Sequence, residues 1–216
     1  MSVFGGEEES FPNLRRLELS QNKISELVGL NCPKLQYLDV STNKLDKYET
    51  WNGHPNLKEL YIGDSKIKTM ALGEMPELQV FSAPRTLINA FAGYEGYNNV
   101  VTVDLESTKI DKVEEEAPEM TNLKSLNLSS TKIANMDNLK HAFKFETLRD
   151  LNILDTPLEK NASSFNYLLA EVLIQFPVLE KWCELEITDQ HRYEGLYVAK
   201  YRWEKKREAE KKKAEE

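Results

Sequence analysis

The chain has 216 residues, 40% of them hydrophobic, and a formal net charge of −8. This length and composition suffice for a sizeable core, but no stretch reaches the roughly 18 consecutive apolar residues that a membrane helix needs. The two cysteines, Cys32 and Cys183, are far apart and lack the clustering of secreted repeat proteins, so we expect reduced thiols, a cytoplasmic location and no membrane contact.

Residues 1–13 form an acidic lead-in without the basic and apolar regions of a signal peptide. A solenoid of repeats has to cover its first repeat, and no obvious cap is present. We expect a partner protein to cover this edge; the alternative is that Phe4 and Phe11 fold over it.

Residues 14–160 carry a repeat of the form L-x-x-L-x-L-x-x-N-x-I-x-x-L. Its seven copies begin at Leu14, Leu35, Leu57, Leu78, Val100, Leu123 and Leu148. The starts are 21 to 25 residues apart, which is the period of leucine-rich repeats. The alternation in Leu17-Glu18-Leu19 predicts a short strand with its apolar side chains inward. We therefore expect an α/β solenoid, a horseshoe of about seven leucine-rich repeats with a parallel concave sheet.

The ninth position of the repeat, normally Asn, changes along the chain. Asn22 and Asn43 keep the amide, and Ser or Thr replaces it in the later repeats. A hydroxyl satisfies fewer backbone groups than an amide, so we expect a thinner hydrogen-bond ladder there.

Three places interrupt the repeat pattern. Pro84 stands at the end of a predicted strand and cannot donate to a ladder. Residues 93–99 are an insertion that predicts a loop on the convex or side face. Residues 138–145 are long enough for a helical turn.

The predicted C-terminal cap covers residues 161–187. Residues 165–176 place Phe165, Leu168, Leu169, Val172, Leu173 and Phe176 on one helical stripe. Pro177 ends this helix. Residues 178–182 predict a last edge strand.

Residues 188–216 predict one charged helix of roughly 28 residues, about 42 Å long. Thr188 or Asp189 can cap its first turn. Its first half carries exposed aromatic residues that are typical of interface anchors, namely Tyr193, Tyr197, Tyr201 and Trp203. We expect an arm that reaches a neighbouring subunit; the alternative is a helix that frays.

Charge is segregated between this helix and the body. Residues 200–216 hold eight Lys/Arg and five Asp/Glu, or +3, so the remaining 20 Lys/Arg and 31 Asp/Glu give residues 1–199 a charge of −11. An acidic body disfavours nucleic acid as a partner and favours a protein with a basic surface.

No catalytic motif, cofactor-binding motif or metal-ligand spacing is recognisable. The histidines, His54, His141 and His191, are scattered among the repeats and the tail. We expect no enzyme activity, no cofactor and no metal.

The outward positions of the strands predict a protein-binding surface. Tyr37, Tyr61 and Val80 form an apolar patch, and charged residues surround it, as in many interfaces. The predicted concave-face residues are Arg16, Glu18, Tyr37, Asp39, Glu59, Tyr61, Val80, Asp104 and Glu106.

The repeat lead-ins such as Pro33-Lys34-Leu35 resemble cytosolic leucine-rich-repeat families. The edge Leu179-Glu180-Lys181 and the following helix, with Arg/Tyr and then mixed Glu/Lys, resemble the leucine-rich-repeat proteins of the ciliary radial spoke. That resemblance implies a structural scaffold of the ciliary or flagellar axoneme, a subunit of a large hetero-complex with other radial-spoke proteins.

Other functions remain open from the sequence. The chain could be a phosphatase regulatory subunit, a dynein-light-chain-like adaptor, or an acidic histone- or RNA-associated repeat protein. A nuclear protein would normally show a basic run, and here Glu residues interrupt residues 205–213.

Overall fold

A computed structural model describes residues 3–4, 11–28, 30–91, 97–117 and 120–215. Its main sheet has nine strands in the described part of the chain, in the order β11-β10-β9-β8-β7-β6-β5-β4-β2. These strands are β2 (Arg16–Glu18), β4 (Tyr37–Asp39), β5 (Glu59–Tyr61), β6 (Val80–Ser82), β7 (Thr102–Asp104), β8 (Ser125–Asn127), β9 (Asp150–Asn152), β10 (Lys181–Trp182) and β11 (Leu185–Glu186). Each predicted repeat supplies one strand, so the chain is a parallel-sheet solenoid of leucine-rich repeats, as predicted.

The strands are three residues long because each repeat alternates only once. The middle residue of β4 to β9 points inward and is buried, and its two neighbours are half-buried on the outer side. All adjacent repeats pair in parallel without a register shift, with Leu38 opposite Leu60 and Leu60 opposite Phe81. The buried residues stack into one continuous core, which no single repeat could form.

The predicted thinning of the ladder is confirmed. The Asn43 side chain donates to the carbonyls of Val40, Ser41 and Leu19 and accepts from the amide of Ile24, so it joins two repeats. The later hydroxyls donate only to the carbonyl three residues earlier in their own turn. They are Ser65, Thr86, Thr108, Thr131 and Thr156.

The N-terminal edge is less protected than the middle of the solenoid. β1 (Val3–Phe4) pairs in parallel with β3 (Glu26–Leu27) on the other side of the first repeat. Leu17 and Leu19 are only half-buried, whereas their equivalents in later repeats are fully buried. The side chain of Phe11 is 41% exposed. The side chain of Phe4 lies outside the described residues, so the covering of the edge by Phe4 and Phe11 stays a prediction.

Two predicted connections differ from the structure. Within the insertion, Tyr97–Asn99 is a 3-10 helix, and Tyr97 is buried against the ring of Phe81 instead of lying in a surface loop. Burial of a large aromatic ring between repeats is more favourable than its exposure in a surface loop. Residues 93–96 lie outside the described part. The second helical turn is also a 3-10 helix, Met136–Lys144, and begins at an Asn135 cap.

The C-terminal cap has the predicted helix, α2 (Phe165–Gln175), preceded by the single turn α1 (Pro157–Lys160). Phe165 does not share the burial of the stripe, and its ring instead packs on Trp182 at 4.5 Å. The last edge strand begins only at Lys181, and an unpredicted hairpin follows it. Cys183 and Glu184 make the turn with φ of 47° and 67°, the backbone of a two-residue type I′ turn.

The tail is a single helix, α3 (Asp189–Glu215), as predicted. Its first half is not a free arm, because it packs on α2 over the Gly195 position, where a Cβ would lie 3.5 Å from that of Leu173. Residues 203–215 project beyond the contact by about 20 Å. No described helix is both long enough and apolar enough to cross a membrane.

Candidate protein-binding surfaces

The outward strand residues form columns that run across the repeats. The in-register pairing places Tyr37 between Arg16 and Glu59, and Tyr61 between Asp39 and Ser82. Neighbouring parallel strands lie about 4.8 Å apart, so side chains in one column touch their neighbours. The nine predicted concave-face residues therefore lie on one continuous surface of the first five repeats, and their role in binding stays a prediction.

A cation and two aromatic rings stack at the centre of this surface. The Arg16 guanidinium lies 3.4 Å from the centroid of the Tyr37 ring, and the rings of Tyr37 and Tyr61 are 5.2 Å apart. Arg16 also pairs with Glu18, and the Tyr61 hydroxyl donates to Glu59 at 3.0 Å. Burial and the hydrogen bond to Glu59 raise the pKa of Tyr61 to about 12, so the phenol remains a neutral donor near neutral pH.

Two of the predicted acidic residues hold the backbone of their own repeat. Asp39 accepts from the amide of Ser41, and Asp104 accepts from the amide of Glu106. Asn127 and Asn152 do the same for the amides two residues later. Asp39 and Asp104 are therefore structural residues as well as surface charges, because these amides have no place in the ladder of the sheet.

The repeat that contains Pro84 lacks the amide that an Asp or Asn side chain binds in the other repeats. Pro84 occupies the position of those amides, so no Asx side chain is needed two residues earlier, where Ser82 stands. Its ring packs over Gly63, where a Cβ would lie 2.9 Å from the ring atoms. The proline that interrupts the sequence repeat thus fits a position whose amide hydrogen the ladder does not use.

The aromatic residues of α3 point away from the solenoid. Tyr193, Tyr197, Tyr201 and Trp203 are each at least half exposed, as is Leu196. The opposite side of the helix contacts α2, and there Arg192 donates to the carbonyls of Pro177 and Leu179 in the segment that follows α2. The predicted anchors therefore do not fasten the helix to its own chain and remain available to a partner.

Sequence patterns missed the polar clasp that fixes α3. The Arg202 guanidinium donates to Glu171 and to the hydroxyl of Tyr167 on α2, and its carbon lies 5.5 Å from the Tyr167 ring centroid. Helical spacing offers a signal, since Arg192, Gly195, Ala199 and Arg202 share one side of the helix. A stripe of small and basic residues is easily overlooked beside a stripe of aromatic ones.

A second ladder of side-chain bonds was also missed. In four of the repeats, the residue just before the repeat donates to a carbonyl of the previous one. The donors are Asn56, Asn99, Asn122 and Thr147. His54 makes a similar link to the previous repeat, with its Nε2 2.9 Å from the carbonyl oxygen of Cys32. These bonds link neighbouring repeats, including later ones in which the ninth position bonds only within its own turn.

The candidate chemical groups lie apart from one another. Cys32 and Cys183 are both buried and free, and burial raises the pKa of Cys183 to about 12. Thiols of this kind are poor nucleophiles. Within the described ranges, no three His, Cys, Asp or Glu side chains group as metal ligands would.

Family models for leucine-rich repeats match two stretches of the chain. The model described as two copies of Leucine Rich repeats matches residues 12–53, and a single-repeat model matches residues 119–135. The chain is 56% identical over 43 residues to the acidic leucine-rich nuclear phosphoprotein 32 family member A of Drosophila melanogaster, and again to that of Drosophila pseudoobscura pseudoobscura. Each match covers 18% of this chain and 16% of the relative.

Solved structures share the fold at low sequence identity. An internalin of Listeria monocytogenes superposes with a TM-score of 0.57 at 14% identity, over 81% of this chain and 48% of the internalin. A leucine-rich-repeat protein of Leptospira interrogans gives 0.56 at 16% identity, over 78% of this chain and 48% of its own. These likenesses concern the fold alone.

Proposed function

Since the chain folds as a solenoid of leucine-rich repeats, we propose that it is a non-catalytic scaffold that binds proteins through its concave face and through α3. The observation that carries the proposal is the Arg16–Tyr37–Tyr61 stack, set among half-buried carboxylates on the concave face. Aromatic anchors with a charged surround are the usual anatomy of a protein interface. Unbroken strand register keeps these side chains in fixed positions before a partner arrives.

We propose further that the partner presents a basic surface. Residues 1–199 carry −11, and five of the nine concave-face residues are carboxylates, against one arginine that Glu18 already neutralises. Complementary charge speeds encounter and fixes orientation more than it adds affinity. Association should therefore weaken as ionic strength rises.

The place of this scaffold is, in our proposal, the axoneme of the cilium or flagellum, as a subunit of the radial spoke. Support comes from the resemblance of the cap edge and the following Glu/Lys helix to the radial-spoke proteins. The outward aromatic residues of α3 favour a subunit of a large complex, because they leave a second surface beside the concave one.

A nuclear scaffold is the second candidate. The 43-residue match to a protein named as an acidic nuclear phosphoprotein favours it. The chain spans 16% of the length of that relative. The axonemal and the nuclear proposal both use the concave face as the binding surface. They differ in which proteins bind to it.

Affinity purification of the tagged chain from ciliated cells, followed by mass spectrometry, tests the proposal. Two variants probe the surfaces separately: Glu59→Lys with Glu106→Lys on the concave face, and Tyr193→Ser with Tyr197→Ser on α3. The double variant Glu77→Lys with Glu146→Lys makes the same charge change at exposed positions outside the strands. Removing all of α3 is a poor test, because it uncovers Ala170 and Leu173 of α2.

We expect radial-spoke proteins in the wild-type sample and their loss in at least one surface variant, with the control unchanged. Nuclear proteins lost in the concave variant would support the second candidate instead. A phosphatase catalytic subunit retained in every sample would contradict both placements. Equal recovery of all partners by the concave variant would refute the concave face as the binding surface.

A further inference from the structure

The stack on the concave face ends abruptly at Tyr61. Arg16 covers one face of Tyr37, and Tyr37 packs on Tyr61. On the far side of Tyr61 the next column positions hold small side chains, those of Val80, Ser82 and Pro84. The side chains beside the Tyr61 ring are therefore shorter than the ring.

Two carboxylates lie one strand beyond these short side chains. Asp104 is opposite Ser82, one strand further on. In the neighbouring column, Glu106 is at the position that corresponds to Pro84, also one strand further on. Two strand spacings separate Tyr61 from Asp104, or about 10 Å. We call the space between them the Tyr61 notch, bounded by Tyr61, Ser82, Pro84, Asp104 and Glu106. Its width accommodates one flat cationic group between the ring and the carboxylates.

The carboxylates of the notch have no ion-pair partner among the described residues. Arg85 interacts electrostatically with Asp104 and Glu106, but its guanidinium makes its two bonds to Asp64, of 2.6 and 2.7 Å, and these hold the pKa of Asp64 below its usual value. Asp104 accepts from Ser82 and Asn127, which orient it without cancelling its charge. In the part of the chain that the structure describes, the Glu106 carboxylate, which is half-buried, has no hydrogen bond or ion pair.

We propose that the Tyr61 notch receives an arginine side chain of the partner, stacked on Tyr61 and paired with Glu106 and Asp104. The chain itself shows this mode of binding one repeat earlier, where the Arg16 guanidinium lies over Tyr37 and pairs with Glu18. A guanidinium is flat, stacks on aromatic rings and binds a carboxylate through two donors, whereas an ammonium is a strongly hydrated point charge. The notch thus selects arginine over lysine. This inference rests on the proposed scaffold function and names the chemistry of its partner.

Titration with single-residue probes tests the inference without a known partner. The probes are the N-acetyl methylamides of arginine, lysine and citrulline, added to the isotope-labelled full chain and followed by the amide signals of Ser82, Asp104 and Glu106 in NMR spectra. Citrulline keeps the flat shape of arginine and removes its charge. Tyr61→Leu removes the ring, Glu106→Gln removes the free charge, and Asp150→Asn is a control at the other end of the same face.

We expect the arginine probe to shift these signals and to bind about threefold more tightly than the lysine probe. Tyr61→Leu should abolish that preference, Glu106→Gln should weaken both cations, and Asp150→Asn should change neither. Equal affinity for arginine and lysine, or a preference that survives Tyr61→Leu, overturns the inference. The scaffold proposal would then stand or fall on the purification alone, since a concave-face partner can bind without an arginine in the notch.

Discussion

At the residue scale, two glycines fix how closely the repeats approach on the side away from the strands. Gly53 pairs with Glu74 as an isolated bridge, and both Gly53 and Gly73 have positive φ, 83° and 87°. A Cβ at Gly73 would lie 2.1 Å from the carbonyl carbon of Asn52. No side chain can be accommodated there without moving the backbone.

Gly73→Ala should therefore destabilise the solenoid by about 2–4 kcal/mol, because it adds a clash to a strained φ. Urea unfolding followed by circular dichroism measures the change. Gly195→Ala is the matched control: its Cβ meets only ordinary contacts, at 3.5 Å and beyond, and helix propensity improves. An unchanged unfolding midpoint for Gly73→Ala would contradict the close approach.

His54 makes stability depend on pH. The ring is buried, its Nε2 faces the carbonyl of Cys32, and its Nδ1 accepts from the amide of Asn56. Burial lowers the pKa of His54 below its ordinary 6.5. The unfolded state thus binds the proton more readily, and the contribution of this residue is complete above pH 6.5 and lost as pH falls towards the folded-state pKa.

We expect the difference in unfolding free energy between wild type and His54→Gln to shrink as pH falls from neutral to mildly acidic. Glutamine can still donate to the Cys32 carbonyl but does not titrate. Parallel denaturant titrations at several pH values provide the measurement. A difference that stays constant with pH would show that His54 is not held neutral by burial.

At the element scale, two sets of side-chain hydrogen bonds link neighbouring repeats, each in a different part of the solenoid. Asn43 links the first two repeats, while the lead-in residues link the later ones. The hydroxyls at the ninth position stabilise only their own turn. Loss of the amide therefore matters most near the N-terminal end.

Asn43→Thr should cost about 1–3 kcal/mol, because it leaves the buried amide of Ile24 without its acceptor. The carbonyl of Leu19 loses the bond from Asn43 and keeps the one from Asn22. Asn22→Thr is the comparison, since Asn22 is exposed and bonds only within its own turn. Thermal unfolding of the two variants gives the answer. Equal losses would mean that the link between repeats carries no extra stability.

At the scale of the whole molecule, the inward strand residues are not equally buried along the axis of the solenoid. Leu17 and Leu19 in the first repeat are half-buried, while the residues that correspond to Leu17 further on, such as Val103 and Leu126, are at most 1% exposed. Stability in a solenoid is a sum of repeats and their interfaces, and β2 is the edge strand of the main sheet, with β4 as its neighbour. The C-terminal end differs, because α2 and the β10–β11 hairpin cover it.

Amide hydrogen exchange should therefore be fastest in β2 and slowest in β6 to β8 among the strands of the main sheet. Mass spectrometry of peptides along the chain measures this order. Binding of a partner that covers the first repeat would slow exchange there selectively. Uniform protection of all strands would show that the solenoid opens as a single unit.

The sequence by itself determined the solenoid, the cap helix and the tail helix, because each follows from a local period. Apolar spacing along a strand or helix is set by the backbone, so Leu38 and Leu60 could be placed inward from their neighbours alone. The same count of positions placed Tyr37, Tyr61 and Glu106 on one face. Periodicity also found α3 and its exposed aromatic residues.

Only the tertiary structure decided what these residues touch. The burial of Tyr97, the hairpin after Trp182 and the clasp of Arg202 on α2 join segments whose contacts no repeat encodes. Asp39 and Asp104 proved to support the backbone as well as the surface, which depends on which amides the ladder leaves unused. A period fixes the direction of a side chain, but its partners depend on how neighbouring turns pack.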